Sequence, residues 1–225
     1  MSDGTTTPSS TFTVHGDGRW HGDDGSAGEL AGTTLYVVRA LAQVDQLLGI
    51  GPLAGFTAAG GARELEARVG HDGDFGTEVA GTLVATGATA KPVDEHSLAA
   101  TLGDELDHVL DQVTQVELVA GCFVVSSNGN LLADRVPGVA EDALAGTGRR
   151  VKVAYDAFDR FLGTTALVTR FEWADIVAAP VGNGLAVVIA DPSAELEAIL
   201  SAVQVGGGVL SGVDLAVFRG SALLG

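Results

Sequence analysis

"GCFVVSSNGNLLADRV", residues 121–136, carries the only cysteine of the chain, two adjacent serines and an Asn-Gly pair set between two apolar runs. Either a nucleophile stands here on a sharp turn, or the stretch is a hairpin that holds a sheet in register. A serine on a strand-to-helix elbow needs G-x-S-x-G followed by a helix, whereas Ser126 follows Val124 and Val125 and precedes another strand-like run. Cys122 lies inside an apolar run, where a free cysteine behaves as a small hydrophobe; a reactive thiol needs an exposed, electropositive setting. Asn128-Gly129 is a strong hairpin signal and predicts a two-residue type I′ turn, with positive φ at both positions. The stretch therefore reads as a hairpin.

Periodicity extends the reading in both directions. Leu98, Leu102, Leu106, Val109, Val113 and Val116 recur at helical spacing, with Asp104, Asp107 and Asp111 on the outer side and Ser97 as N-cap, which predicts a helix over 98–116. Beyond the hairpin, Val151, Tyr155, Phe158 and Leu162 predict a second amphipathic helix. Gly146 and Gly148 each cost about 1 kcal/mol inside a helix, so its regular part is expected to begin near Arg149. Three strands follow in "TALVTRFEW", "DIVAAPV" and "LAVVIA". Asp191 as N-cap with Pro192 at the first helical position then predicts a last helix.

The first ninety residues are less regular. "FTVHGDGRWHG" reads as a hairpin around Gly16 to Gly18, and 29–48 as a helix through Leu35, Val38, Leu41 and Ala42. "LAGFTAAGGARELEARV" (53–69) runs parallel to "VAGCFVVSSNGNLLADRV" (119–136), each a strand, a Gly-containing turn and a strand ending in Arg-Val. Residues 11–90 are thus either a degenerate copy of the later unit or an accessory α+β domain. Residues 1–10 read as a frayed tail, 91–96 as a linker and 205–225 as a strand-like extension.

Composition narrows the function. The net charge is -17, from 29 acidic residues against 12 basic ones, a field that repels phosphate and disfavours nucleic acid as partner. One cysteine excludes a disulfide framework and a cysteine-based zinc cluster. The polar, acidic start lacks the charge and apolar run of a secretory signal, and no apolar run reaches the roughly 18–20 residues of a membrane span; a cytoplasmic location is expected. "GIGPLAG" matches G-x-G-x-x-A through Gly49, Gly51 and Ala54, but follows a helix and leads into a strand, the reverse of a dinucleotide fingerprint; Gly49 reads as a helix stop. "HDGDFG" and "HGDGRWHGDDG" gather carboxylates and histidines in Gly-rich loops without calcium-loop spacing. No metal, cofactor or catalytic group is expected.

Residues 97–204 resemble the roadblock family through the order of their elements and through "VAGCFVVSSNGNLLADRV", "VAYDAFDRFLG" and "DIVAAPVGNGLAVVIADP". The resemblance implies an α+β fold: a five-stranded antiparallel sheet with the middle helix on one face and the first and last helices on the other. It also implies pairing of the edge strand 165–172, through Leu167, Thr169 and Phe171. That pairing joins two chains into a homodimer or, if residues 11–90 are a second copy, closes within one chain as a pseudo-dimer. Family members have no active site of their own and bind small Ras-like GTPases, often on the face of the paired middle helices. Here that helix presents Arg149, Lys152, Asp156 and Arg160, and five of the twelve basic residues fall between Arg135 and Arg160, which marks this face for a partner. The reading is a non-catalytic scaffold for a Ras-like GTPase; the alternative is a small-molecule-sensing or signalling module of profilin-like or longin-like fold.

Overall fold

The hairpin at 121–136 forms, with a different turn. In the computed structural model, which describes residues 9–23, 27–72, 76–86, 102–210, 213 and 215, strand β6 (Val119–Val125) pairs antiparallel with β7 (Leu131–Arg135). Ser126 N–H donates to the Asn130 carbonyl and Gly129 N–H to the Ser126 carbonyl, at 2.8 and 2.9 Å. Of the turn residues only Gly129 has positive φ, at 75°. The connection is therefore a turn closed by a left-handed glycine, the three-residue hairpin loop, and not the expected type I′ pair. The buried Ser126 adds to it by accepting a hydrogen bond from Asn130 N–H on its Oγ.

Around this hairpin the later half contains α3 (Leu102–Thr114), α4 (Glu141–Leu162), β8 (Thr164–Phe171), β9 (Asp175–Val181), β10 (Gly184–Ala190) and α5 (Leu196–Gly207). The earlier half contains β1 (Ser9–His15), β2 (Trp20–Gly22), α1 (Ala27–Leu41), α2 (Asp45–Leu48), β3 (Leu53–Gly60), β4 (Arg63–Asp72) and β5 (Gly76–Ala85). One sheet of ten strands joins them, in the order β2-β1-β5-β4-β3-β8-β9-β10-β6-β7. The expected five-stranded sheet is thus half of the sheet observed.

Both halves run strand, strand, helix, three strands, and both sheets fold in the same order. The resemblance between 53–69 and 119–136 is therefore out of phase. The counterpart of the hairpin β6–β7 is β1–β2, and the three-strand block of the first copy is β3–β4–β5. Inward-facing Phe12 and Val14 of β1 stand 111 positions before Phe123 and Val125 of β6, and Phe56 stands 111 before Leu167. In the β3–β8 ladder Thr57 pairs with Val168, again 111 apart, so the pseudo-two-fold axis passes through that pair. Each helical segment also ends alike. Gly49 and Gly163 are left-handed, at φ 64° and 61°, and their N–H groups bond the carbonyls of Asp45 and Asp159. Gly49 is thus the helix stop expected of it.

The expected edge strand 165–172 is covered by its own chain. Leu167, Thr169 and Phe171 stand opposite Ala58, Phe56 and Leu53 of β3. Pairing that could have joined two chains closes within one, because β3 offers a ladder of matching length and is already tethered. Gly51 explains the remaining glycine motif. It lies at φ 85°, and a Cβ there would come within 2.7 Å of Glu172 Cβ, where Trp173 N–H bonds the Ile50 carbonyl and Glu172 N–H the Pro52 carbonyl. The glycine admits a close approach of backbone at the seam.

One core lies between the sheet and the pair α1 and α4, and draws on both halves through Phe12, Leu35, Val38, Leu41, Phe56, Phe123, Val151, Phe158 and Leu167. A second core lies on the opposite face of the later half alone, beneath α3 and α5. The matching face of the earlier half exposes Thr11, Glu66 and Arg68, with Thr13, Thr57 and Thr82 part-buried, and among the described residues no helix covers it. A polar outer face suits an antiparallel sheet wetted on one side. The two copies have therefore diverged in what they bury.

Three helix boundaries differ from expectation. Helix α4 runs through Gly146 and Gly148, because a Cβ at 146 would come within 2.9 Å of Leu47 Cδ1 and at 148 within 2.5 Å of Val125 Cγ1. The close packing offsets the helix-propensity cost. Asp191 does not cap α5. Its Oδ1 accepts from Ser193 N–H at 2.9 Å, forming an Asx turn, and the helix starts only after Glu195. The segment 29–48 is divided after Leu41, leaving Ala42 exposed. Residues 205–207 complete α5, and 208–210 form a 3-10 turn, where a strand-like extension was expected. Ser97, Leu98, Asp74, Phe75 and the linker 91–96 lie outside the described residues, as does most of the tail 1–10.

Candidate partner-binding site

Burial decides whether the opening stretch holds a nucleophile. Cys122 is fully buried in β6, and desolvation pushes its thiol up to about 12 from the ordinary 9.0. Since the thiolate is the nucleophile, a rise of that size predicts alkylation by iodoacetamide at pH 8 about a thousandfold slower in the folded protein than in urea. Comparable rates in both states would show that the strand opens. The Ser126 hydroxyl is taken up by the turn. The carboxylate-rich loop before β2 is internally satisfied too: the Arg19 backbone N–H and side chain hold Asp17 below the usual carboxylate range.

A different kind of site lies on the helical face. Helices α1 and α4 lie side by side over the sheet, and both turn their apolar sides into the shared core. Between their outer sides runs a groove of about 410 Å³, lined by Tyr36, Arg39, Ala40 and Gln43 of the α1 segment and by Arg149, Arg150 and Val153 of α4. Tyr36 is 57% exposed and Val153 40%. The lining holds three guanidinium groups and no carboxylate.

The arginines are positioned by neutral acceptors. Arg39 Nη2 donates to the Gly16 carbonyl at 2.6 Å. Arg150 donates through Nε and Nη2 to Gln43 Oε1 at 3.2 and 2.9 Å, tying α4 to the turn after α1, and through Nη1 to the Gly146 carbonyl. Arg149 lies against Gly129 at the tip of the opening hairpin. Among the described residues none of the three forms an ion pair, whereas Arg19, Arg68, Arg135 and Lys152 are paired with carboxylates; Arg63, Arg160 and Arg170 also lack an ion pair but lie outside the groove. In a protein with more than twice as many acids as bases, cations left without counter-charges in one groove are positioned for an external anion.

Of the residues singled out on the second helix, Arg149 alone lines the groove. Lys152 and Asp156 neutralise one another at 2.6 Å, with the lysine side chain only 13% exposed. Arg160 is exposed, two to three turns further along the helix. Leu167, Thr169 and Phe171 are buried in the seam. The sequence reading missed Tyr36, Arg39, Gln43, Arg150 and Val153. A signal existed in and just after α1, where Tyr36, Arg39 and Gln43 recur at helical spacing, but nothing in it points to α4.

No helix in the described residues is long and apolar enough to cross a membrane. No protein-family model matches the sequence, and no curated protein matches it. Among solved structures, the roadblock/LC7 domain from Streptomyces avermitilis is 14% identical with a TM-score of 0.40, over 45% of this chain and 91% of its own. Myxococcus xanthus MglB is 15% identical with a TM-score of 0.44, over 56% of this chain and 99% of its own. The gliding protein MglB from Thermus thermophilus is 16% identical with a TM-score of 0.43, over 56% and 98%. Over about half of its length the chain is similar to these roadblock/LC7 and MglB structures.

Proposed function

We propose that this protein is a non-catalytic regulatory scaffold that binds a small Ras-like GTPase on the face formed by α1 and α4. The observation that carries the reading is the groove itself. Two helices that the roadblock resemblance would supply from two chains lie side by side in one, and the cleft between them concentrates arginines without carboxylate partners and exposed apolar surface. A partner seated there would bury Tyr36 and Val153 and meet a preformed positive field. The burial of Cys122 and the structural role of the Ser126 hydroxyl support a protein that acts through its surface.

The test is titration calorimetry of the purified full chain with Ras-like GTPases from the same genome, each loaded with GDP or with a slowly hydrolysed GTP analogue. Binding in the micromolar range that favours one nucleotide state is expected. Absence of binding by every such GTPase in both states would remove the reading, and a metabolite retained in native mass spectrometry would then favour a small-molecule sensor.

A further inference from the structure

We infer that the groove between α1 and α4 takes an acidic segment of the partner, held in one direction only; the inference deepens the proposed GTPase reading and rests on it for the partner's identity. Two observations lead to it. The first is charge. Arg39, Arg149 and Arg150 line one groove without carboxylates, and Arg39 and Arg150 are held by neutral carbonyl and amide oxygens that fix the guanidinium planes while leaving their charge uncompensated. Planar forks presented in this way suit carboxylates of a peptide, and Tyr36 and Val153 offer seats for its apolar side chains.

The second observation is asymmetry. The cap glycines Gly49 and Gly163 set the helices 114 apart instead of the 111 of the strands. In that register buried Leu30, Val37 and Leu41 match buried Leu144, Val151 and Tyr155, and Arg150 falls at the position of Tyr36 and Val153 at that of Arg39. The groove therefore straddles the pseudo-two-fold axis, and each arginine faces an uncharged counterpart across it. A pair of identical helices would present the same contacts to a segment running either way. Here the two directions differ: one sets acidic positions against Arg39 and Arg150 and apolar ones against Tyr36 and Val153, and reversal exchanges them. Desolvating an unmatched carboxylate against an apolar side chain is unfavourable, so one direction dominates.

The probe is a fluorescein-labelled twelve-residue peptide that repeats Glu-Glu-Leu-Glu-Leu-Leu, an order that reversal and sliding do not restore, followed by anisotropy with the full chain at low salt. A control peptide carries Gln in place of every Glu. Binding of the Glu peptide should weaken at least tenfold between about 50 and 300 mM salt. It should be lost in the triple variant Arg39→Glu, Arg149→Glu, Arg150→Glu, and Arg160→Glu should leave it unchanged. The milder Arg39→Gln, Arg149→Gln, Arg150→Gln variant, checked for folding by circular dichroism, should weaken it at least tenfold. Equal binding of the Gln peptide, or undiminished binding by both triple variants, overturns the inference. Nitroxide labels at either end of the Glu peptide should broaden amide resonances at opposite ends of the groove, and identical broadening from both ends overturns the single direction. A Ras-like GTPase that binds wild type and triple variants equally sinks the inference and leaves GTPase binding standing, but at a face other than this groove. Arginine-dependent peptide binding with no GTPase bound in any nucleotide state does the reverse.

Discussion

Phe171→Asp is expected to lower the stability of the chain by about 4 kcal/mol or more while leaving its association state unchanged. Phe171 is 3% exposed, stands opposite Leu53 in the β3–β8 ladder, and belongs to the core beneath α1 and α4. A carboxylate there would sit in a low-dielectric seam and ionise only at the expense of the fold. Had β8 been an edge that joins two chains, the same substitution would have released folded monomers. Urea denaturation and light scattering separate the outcomes: a lower midpoint at constant mass supports the intrachain seam, and a halved mass at unchanged stability overturns it.

Phe56→Ala should cost about 3–5 kcal/mol and shift a single unfolding transition. Phe56 is fully buried, and its ring lies 5.1 Å from that of Phe158, tilted by 31°. One ring belongs to β3 of the first copy and the other to α4 of the second, so the contact ties the copies into one core. Trp20 lies in the first copy and Trp173 in the second. With either tryptophan replaced by Phe, the fluorescence of Trp20 reports the first copy and that of Trp173 the seam, where its backbone N–H bonds the Ile50 carbonyl, and both transitions should coincide with that seen by circular dichroism. Transitions that move apart, with only the first copy destabilised, would show two independent domains joined by a weak seam.

The pattern of what was legible follows from how local each signal is. Leu106, Val109 and Val113 recur with the helical period and are buried in α3, and the apolar runs 119–125, 176–181 and 185–190 are strands as read. The glycines at 146 and 148 misled because their reason lies in Leu47 and Val125, far away in sequence. Asp191 and Pro192 misled because an Asx turn uses the same residues as a helix start. The repeat was detected in the wrong phase: β2 is only three residues long, and the hairpin formed by β3 and β4 imitates the one formed by β6 and β7. Arg149 was found because its helix was periodic. Its companions Tyr36, Arg39 and Gln43 were not, because the groove exists only where α1 is laid beside α4.

By itself the sequence determined which segments are helices and strands through the later half, that the GCFVVSSNGNLLADRV stretch turns back on itself, and that Cys122 is a core residue. Those properties rest on period, turn chemistry and hydrophobicity, which act over a few residues. Tertiary structure decided that ten strands form one sheet, that β8 meets β3 of its own chain, and that three arginines from two helices share a groove. Those depend on which of several compatible edges and faces come together, a choice set by the free energy of the whole packed core.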